Sequence, residues 1–166
     1  MTRGRRTLTV PDSVVQAICA ASVAAQPHET GGILLGWRAT AEVVVRDMVE
    51  VPDTKAGHAH YERDYGRTES RLDAYLGECD DPAVGYVGEW HTHPRPSGPS
   101  PLDRSTMFGI AAATADAIGL LVVAHDAGRR TSSAFGLVVR RGDPTSAWRR
   151  PMTITRIING AADGQA

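Results

Sequence analysis

Apolar positions along the chain change their spacing repeatedly, and each change marks a new element. Thr7 to Val10 reads as a short strand, and Pro11-Asp12-Ser13 as a helix start with several possible caps. Val14, Val15, Ile18, Cys19, Ala21, Ser22 and Ala25 then recur at helical spacing up to Pro27, so this helix faces a core. Glu29 to Trp37 reads as a strand whose interior glycines imply close approach of another backbone or a ligand. Glu42 to Val51 is rich in β-branched residues and reads as its neighbour. Tyr61 to Cys79 has the pattern of an amphipathic helix, with Tyr65, Leu72, Tyr75, Leu76 and Cys79 inward and acids and arginines outward; its aromatics are expected in the core. Asp80-Asp81-Pro82 breaks it and starts an apolar strand from Ala83 to Val87. Leu102 to Ala115 returns to helical spacing. Ile118 to Ala124 and Ser132 to Val139 flank a turn at His125 to Gly128, and Pro151 to Ile158 reads as a last strand. Interleaved strands and helices predict an α/β sandwich with a mostly antiparallel or mixed sheet between helices.

The 166 residues, 42% of them hydrophobic, suffice for one domain with a full core and are too few for two. Residues 1–158 are assigned to that domain and 159–166 to a flexible tail. A formal net charge of −1 argues against a general grip on nucleic acid or an anionic membrane. Arginines gather at Arg3, Arg5 and Arg6 and again at Arg140, Arg141, Arg149 and Arg150, which reads as solvated surface near strand ends. Cys19 and Cys79 read as buried free thiols rather than a disulfide. No signal peptide is visible and no apolar run approaches the roughly 20 residues of a membrane span, so a cytoplasmic location is expected.

Chemistry concentrates in Glu89-Trp90-His91-Thr92-His93-Pro94, followed across a Pro/Gly/Ser loop by Ser100 and Asp103. Two histidines one residue apart on an extended backbone present both imidazoles on one side. If the loop folds back, Asp103, in the first turn of the next helix, brings a carboxylate to them. Two nitrogens, one oxygen and an open fourth position make a catalytic rather than a structural zinc arrangement. The metal would lower the pKa of a bound water from about 15.7 to roughly 7. A carboxylate that is not a ligand must then carry the proton, and a hydroxyl such as that of Ser100 would stabilise an oxyanion. Without such neighbours Asp103 would be an ordinary acid favoured by a helix dipole, and Glu29 an ordinary surface acid. A second pair, His58 and His60, has only Asp64 as a further ligand in reach and reads as a strand or loop beside the cleft.

His91-Thr92-His93-Pro94, Ser100 and Asp103 resemble the signature of the JAMM/MPN metalloprotease family. Glu29-Thr30-Gly31-Gly32-Ile33-Leu34-Leu35-Gly36 is similar to the strand that follows the catalytic glutamate in bacterial members. The resemblance runs from Leu8 to about Ile158, with one departure. Five residues rather than six separate Pro94 from Ser100, which leaves Ser97 as the other hydroxyl that could serve the oxyanion. The resemblance implies the MPN fold, a cytidine-deaminase-like sandwich with a mixed sheet flanked by helices. It also implies Zn²⁺ as cofactor, held by His91, His93 and Asp103, with Glu29 as the proton carrier and Ser100 as the oxyanion donor. Glu89 stands as a supporting or alternative acid, and His28 as a weaker supporting candidate.

The implied activity is hydrolysis of a peptide or isopeptide bond after the C-terminal glycine of a ubiquitin-like protein or a similarly conjugated protein. A slender tail would suit a groove beside a sheet edge. Bacterial enzymes of this kind act on ubiquitin-like conjugates, on antiphage signalling enzymes attached through their C-termini, and on sulfur carriers, and the sequence does not choose among them. Two other classes stay open: a non-catalytic MPN scaffold, and a RadC-like DNA-related protein with a similar His-x-His-Pro motif.

Overall fold

A computed structural model describes residues 6–39, 42–53, 61–114 and 117–141, and the backbone of 157–160. Its elements in chain order are β1 (Thr7–Pro11), α1 (Asp12–Ala25), β2 (Gly31–Ala39), β3 (Glu42–Glu50), α2 (Tyr65–Glu78), β4 (Gly85–His93), α3 (Pro101–Thr114), β5 (Ile118–Asp126), β6 (Thr131–Val139) and β7 (Ile157–Gly160). The strands form one mixed sheet in the order β6-β5-β4-β2-β3-β1-β7. The pairs β2/β3, β2/β4 and β5/β6 are antiparallel, whereas β4/β5, β1/β3 and β1/β7 are parallel.

Both faces of the sheet are covered, which is why β5 reads as a continuous apolar run. On one face α1 buries Val14 and Ile18 against Leu8, Val10, Leu34, Val43, Trp90, Leu121 and Val123. On the other, α3 buries Met107 and Ala111 against Ile118, Leu120, Val122, Leu137 and Val139. Alternate residues of β5 thus serve opposite layers, as the two-residue period requires.

The opposite layer is thinner at α2. Thr68 is this helix's one buried residue, and Leu72, Tyr75 and Cys79 only lean on Ile33, Leu35 and Val84. The expected core aromatic Tyr65 is instead 67% exposed, and Leu76 is exposed too. The helix also starts four residues later than its pattern suggests, at Tyr65 rather than Tyr61. Asp64 closes its N-terminus, accepting from the Arg67 amide at 3.0 Å. Tyr65 therefore lies in the first turn, before the stripe that meets the sheet. Cys19 and Cys79 are free, as expected, but half-buried rather than buried.

One irregularity in β4 matters for the site. Leu34 pairs with Gly88 and Leu35 with Tyr86, so Val87 is an extra residue, a bulge. Tyr86 faces the α2/α3 layer, Val87 faces α1, and after the bulge Glu89, His91 and His93 return to the α2/α3 side. Arg38 braces this spot, its guanidinium donating to the carbonyls of Tyr86 at 2.7 Å and Ala117 at 2.6 Å.

At the C-terminal end, Asn159 and Gly160 do not belong to a tail. They pair with Val10 and Pro11 in β7, while the earlier part of the predicted strand and residues 161–166 lie outside the described residues. His58, His60, Arg3, Arg5, Arg149 and Arg150 lie outside them as well. Among the described residues no helix is long and apolar enough to cross a membrane.

Candidate metal centre

His91 and His93 occupy the last turn of the pleat in β4, both buried and both on the α2/α3 side. Period two alone brings the rings together, with centroids 5.0 Å apart and Nε2 atoms 3.1 Å apart. The loop from Pro94 to Ser100 then reverses direction, and α3 delivers Asp103 from its first turn. Oδ1 of Asp103 lies 3.3 Å from Nε2 of His91, and Oδ2 lies 3.6 Å from Nε2 of His93. Each of the three residues offers a ligand atom within 4.8 Å of the others, a group able to hold a metal ion.

The groups behind these ligands hold them in place. Nδ1 of His93 faces the carbonyl of Ser97 at 3.0 Å and the Ser97 hydroxyl at 3.0 Å. Donation to that carbonyl puts the proton on Nδ1 and leaves the Nε2 lone pair aimed at the site. Ser100 caps α3: its hydroxyl accepts from the Asp103 amide at 3.1 Å, and its own amide donates to Asp103 Oδ2 at 2.6 Å. This reciprocal box fixes the Asp103 carboxylate. Burial alone would raise the Asp103 carboxyl, but its bonds with His91, His93 and Ser100 outweigh that and hold it far below the usual carboxylate range. Burial would lower His93, yet its contacts with Asp103 and the Ser97 carbonyl push it upward.

Glu29 comes to the same place through sheet register. Gly31 pairs with His91, and Thr30 meets Thr92, exchanging amide bonds of 3.0 Å to the Thr92 hydroxyl and 2.9 Å to the Thr30 carbonyl. One step further, Glu29 stands opposite His93. Burial raises its carboxyl above the usual range, while the neighbouring His93 and His91 pull it back. A carboxylate so raised is better matched to proton exchange near neutral pH.

The sequence reading missed what holds Glu29. The backbone amide of Tyr61 donates to Glu29 Oε2 at 2.8 Å, and the Tyr61 hydroxyl donates to the Val51 carbonyl at 2.7 Å. The ring lies over Gly31, where an added Cβ would come within 2.7 Å of both the ring and the Trp90 carbonyl. The close approach expected at the β2 glycines is therefore partly an aromatic ring. Gly31 was its only signal in the sequence.

Glu89 takes neither expected role outright. It is 8% exposed, ion-paired with Arg63, and accepts from the Tyr86 hydroxyl at 3.2 Å. The Arg63 guanidinium also covers the Tyr65 ring at 4.4 Å from its centroid. Burial raises the Glu89 carboxyl and Arg63 offsets it, so this acid is held by a cation rather than offered to a reaction. Glu89, His91 and Asp103 together border a cleft of about 360 Å³ between α3 and the segment leading into α2. A groove beside a sheet edge is not what flanks the site: β4 is paired through His91 with β2 and through His93 with β5.

Comparison with known proteins bears on this arrangement. A family model described as prokaryotic homologs of the JAB domain matches residues 11–150. The solution structure of a protein from Desulfitobacterium hafniense matches with a TM-score of 0.62 at 16% identity, covering 81% of this chain and 85% of that one; the likeness is one of fold. The crystal structure of a JAB1/MPN domain protein from Archaeoglobus fulgidus matches with a TM-score of 0.45 at 16% identity, covering 81% of this chain and 95% of that one. No curated protein matches.

Proposed function

This chain belongs to the prokaryotic JAB-domain family, and from that premise we propose that it is a zinc-dependent peptidase or isopeptidase acting on a ubiquitin-like or similarly conjugated protein. The observation that carries the reading is the meeting of His91, His93 and Asp103 around one point, with the non-ligand carboxylate of Glu29 beside them. The fit to zinc can be tested from donor spacing. Tetrahedral zinc with bonds of about 2.0–2.1 Å separates its ligand atoms by about 3.3–3.4 Å. The two Nε2 atoms here are 3.1 Å apart, and the two Asp103 oxygens come within 3.3 Å of His91 and 3.6 Å of His93, with one donor atom from each residue within 4.8 Å of the others, so a small turn of the carboxylate brings the set to zinc. Two imidazoles and a carboxylate also match a catalytic rather than a thiolate-rich structural set.

A zinc ion held there supplies Lewis acidity toward water and the substrate carbonyl. The chain's own residues do the rest. Glu29, oriented by the Tyr61 amide, takes the proton of the attacking water and returns it to the departing amine. Ser97 keeps the His93 ring in its ligating tautomer. Ser100 binds the Asp103 amide as acceptor, and its own hydroxyl proton remains free to donate to a developing oxyanion.

The test is metal analysis joined to turnover. Purified protein should carry close to one zinc per chain and cleave a C-terminal protein fusion, with Glu29→Gln retaining the metal and losing cleavage. A metal-free protein inert on such fusions would favour the scaffold reading.

A further inference from the structure

The cleft beside the ligands is used by nothing in the mechanism above, and its chemistry differs from that of the metal group. Met107 and Leu120, each 1% exposed, form part of its floor with Ile110. At its rim stand Tyr65, 67% exposed on the α2 side, and Leu102, 61% exposed on the α3 side. These are the two most exposed large hydrophobic residues among those described, and both border the same opening. Scattered surface apolar residues need no explanation, but two that line one cleft reaching His91 and Asp103 do.

The volume is informative too. About 360 Å³ is room for roughly a dozen waters, against a floor that gives them few partners. A tail of two glycines passing the metal would leave most of this space filled with such water. A large apolar side chain would displace it and cover the exposed surfaces of Tyr65 and Leu102. In the polar wall Arg63 and Glu89 satisfy each other, and Glu62, the other charged side chain there besides Asp103, is exposed to solvent, so the buried part of the cleft offers an ionic side chain no free partner.

Resting on the peptidase reading, we propose that this cleft is a specificity subsite for a bulky apolar side chain, leucine-like or aromatic, within two residues of the scissile bond. The substrates it favours therefore carry such a residue near the cleavage point rather than an all-glycine tail.

Binding and cleavage separate this inference from the reading beneath it. Zinc-loaded Glu29→Gln protein is titrated with fluorescent peptides that differ only in Gly, Leu, Phe, Asp or Lys at each of the two positions on either side of the bond. At one position Leu or Phe should bind about 10- to 100-fold more tightly than Gly, the range an apolar subsite supplies. Asp and Lys should gain nothing. In Thr106→Trp, where a large side chain on the cleft wall would occupy the space, the Leu-to-Gly ratio should fall close to one; in Leu102→Ala it should fall severalfold. A flat profile, a preference for a charged residue, or an unchanged ratio in Thr106→Trp overturns the subsite. Preferential binding of Leu or Phe peptides that the wild-type enzyme fails to cleave would keep the subsite and overturn the peptidase reading instead.

Discussion

Gly31→Ala is the most revealing single change, because it alters no ligand and no reacting group. The new Cβ would sit 2.7 Å from the Tyr61 ring and 2.7 Å from the Trp90 carbonyl. Contacts that short do not occur: the ring, tethered by one hydroxyl bond to the Val51 carbonyl, must swing away, and β2 must also draw back from the Trp90 carbonyl beside His91. Moving the ring draws the Tyr61 amide off Glu29. A hydrogen bond to a charged group is worth about 1.5–3 kcal/mol, so kcat/KM should fall roughly 10- to 150-fold. The pH profile should change in a defined direction. The amide bond favours the ionised form of Glu29 and lowers its pKa against the raising effect of burial; without it the pKa climbs further. Since ionised Glu29 is the active form, the acid limb of kcat/KM, taken per bound zinc, should move to higher pH. Tyr61→Ala keeps the backbone amide but loses the hydroxyl tether to Val51, so it should show both effects in weaker form, and the double variant should be no worse than Gly31→Ala alone, because both act through the same bond. Full activity in Gly31→Ala, or strictly additive losses, would refute the chain of contacts from glycine to ring to carboxylate.

Other outcomes follow from the same geometry. Glu29→Gln should bind zinc normally and lose at least about a hundredfold in kcat, as expected for a general base; zinc loss measured by elemental analysis would make it a ligand instead. His91→Ala and Asp103→Ala should each purify with well under one zinc per chain. Ser100→Ala should cost about 1 kcal/mol of stability as a lost helix cap, seen in denaturant melts, and about 100-fold in kcat; a larger rate loss in Ser97→Ala would transfer the oxyanion role there. Arg63→Met strands a buried carboxylate and should destabilise the fold by about 3–5 kcal/mol, whereas Arg63→Met with Glu89→Leu should recover most of it; equal melting temperatures for the two would show the pair to be dispensable.

How far the sequence reached depends on the range of the interaction concerned. The His91/His93 pair was legible because alternation along a strand is local, and Asp103 because a helix start is local too. Glu29 could be placed only through resemblance, since nothing near it predicts that Gly31 will pair with His91. Tyr61 was not legible beyond the hint at Gly31: its partners are Glu29, Gly31 and Val51, met only after the chain has folded. Tyr65 misled for the opposite reason, having the spacing of a core residue but sitting in a first turn that overhangs the sheet. The β7 pairing of Asn159 and Gly160 escaped because small residues after an apolar run look the same in a fraying end as beside β1.

The extra residue at Val87 has a consequence for how this strand can change. Deleting Val87 would restore an unbroken two-residue alternation, with Tyr86 beside Leu35 on one face, Gly88 beside Leu34 on the other, and both imidazoles still aimed at Asp103. A gain of one would need a second bulge to keep their aim. Length variation just upstream of the histidines should therefore be asymmetric: the strand can shed one residue with their aim kept, a tolerance supplied by a residue that never touches the metal.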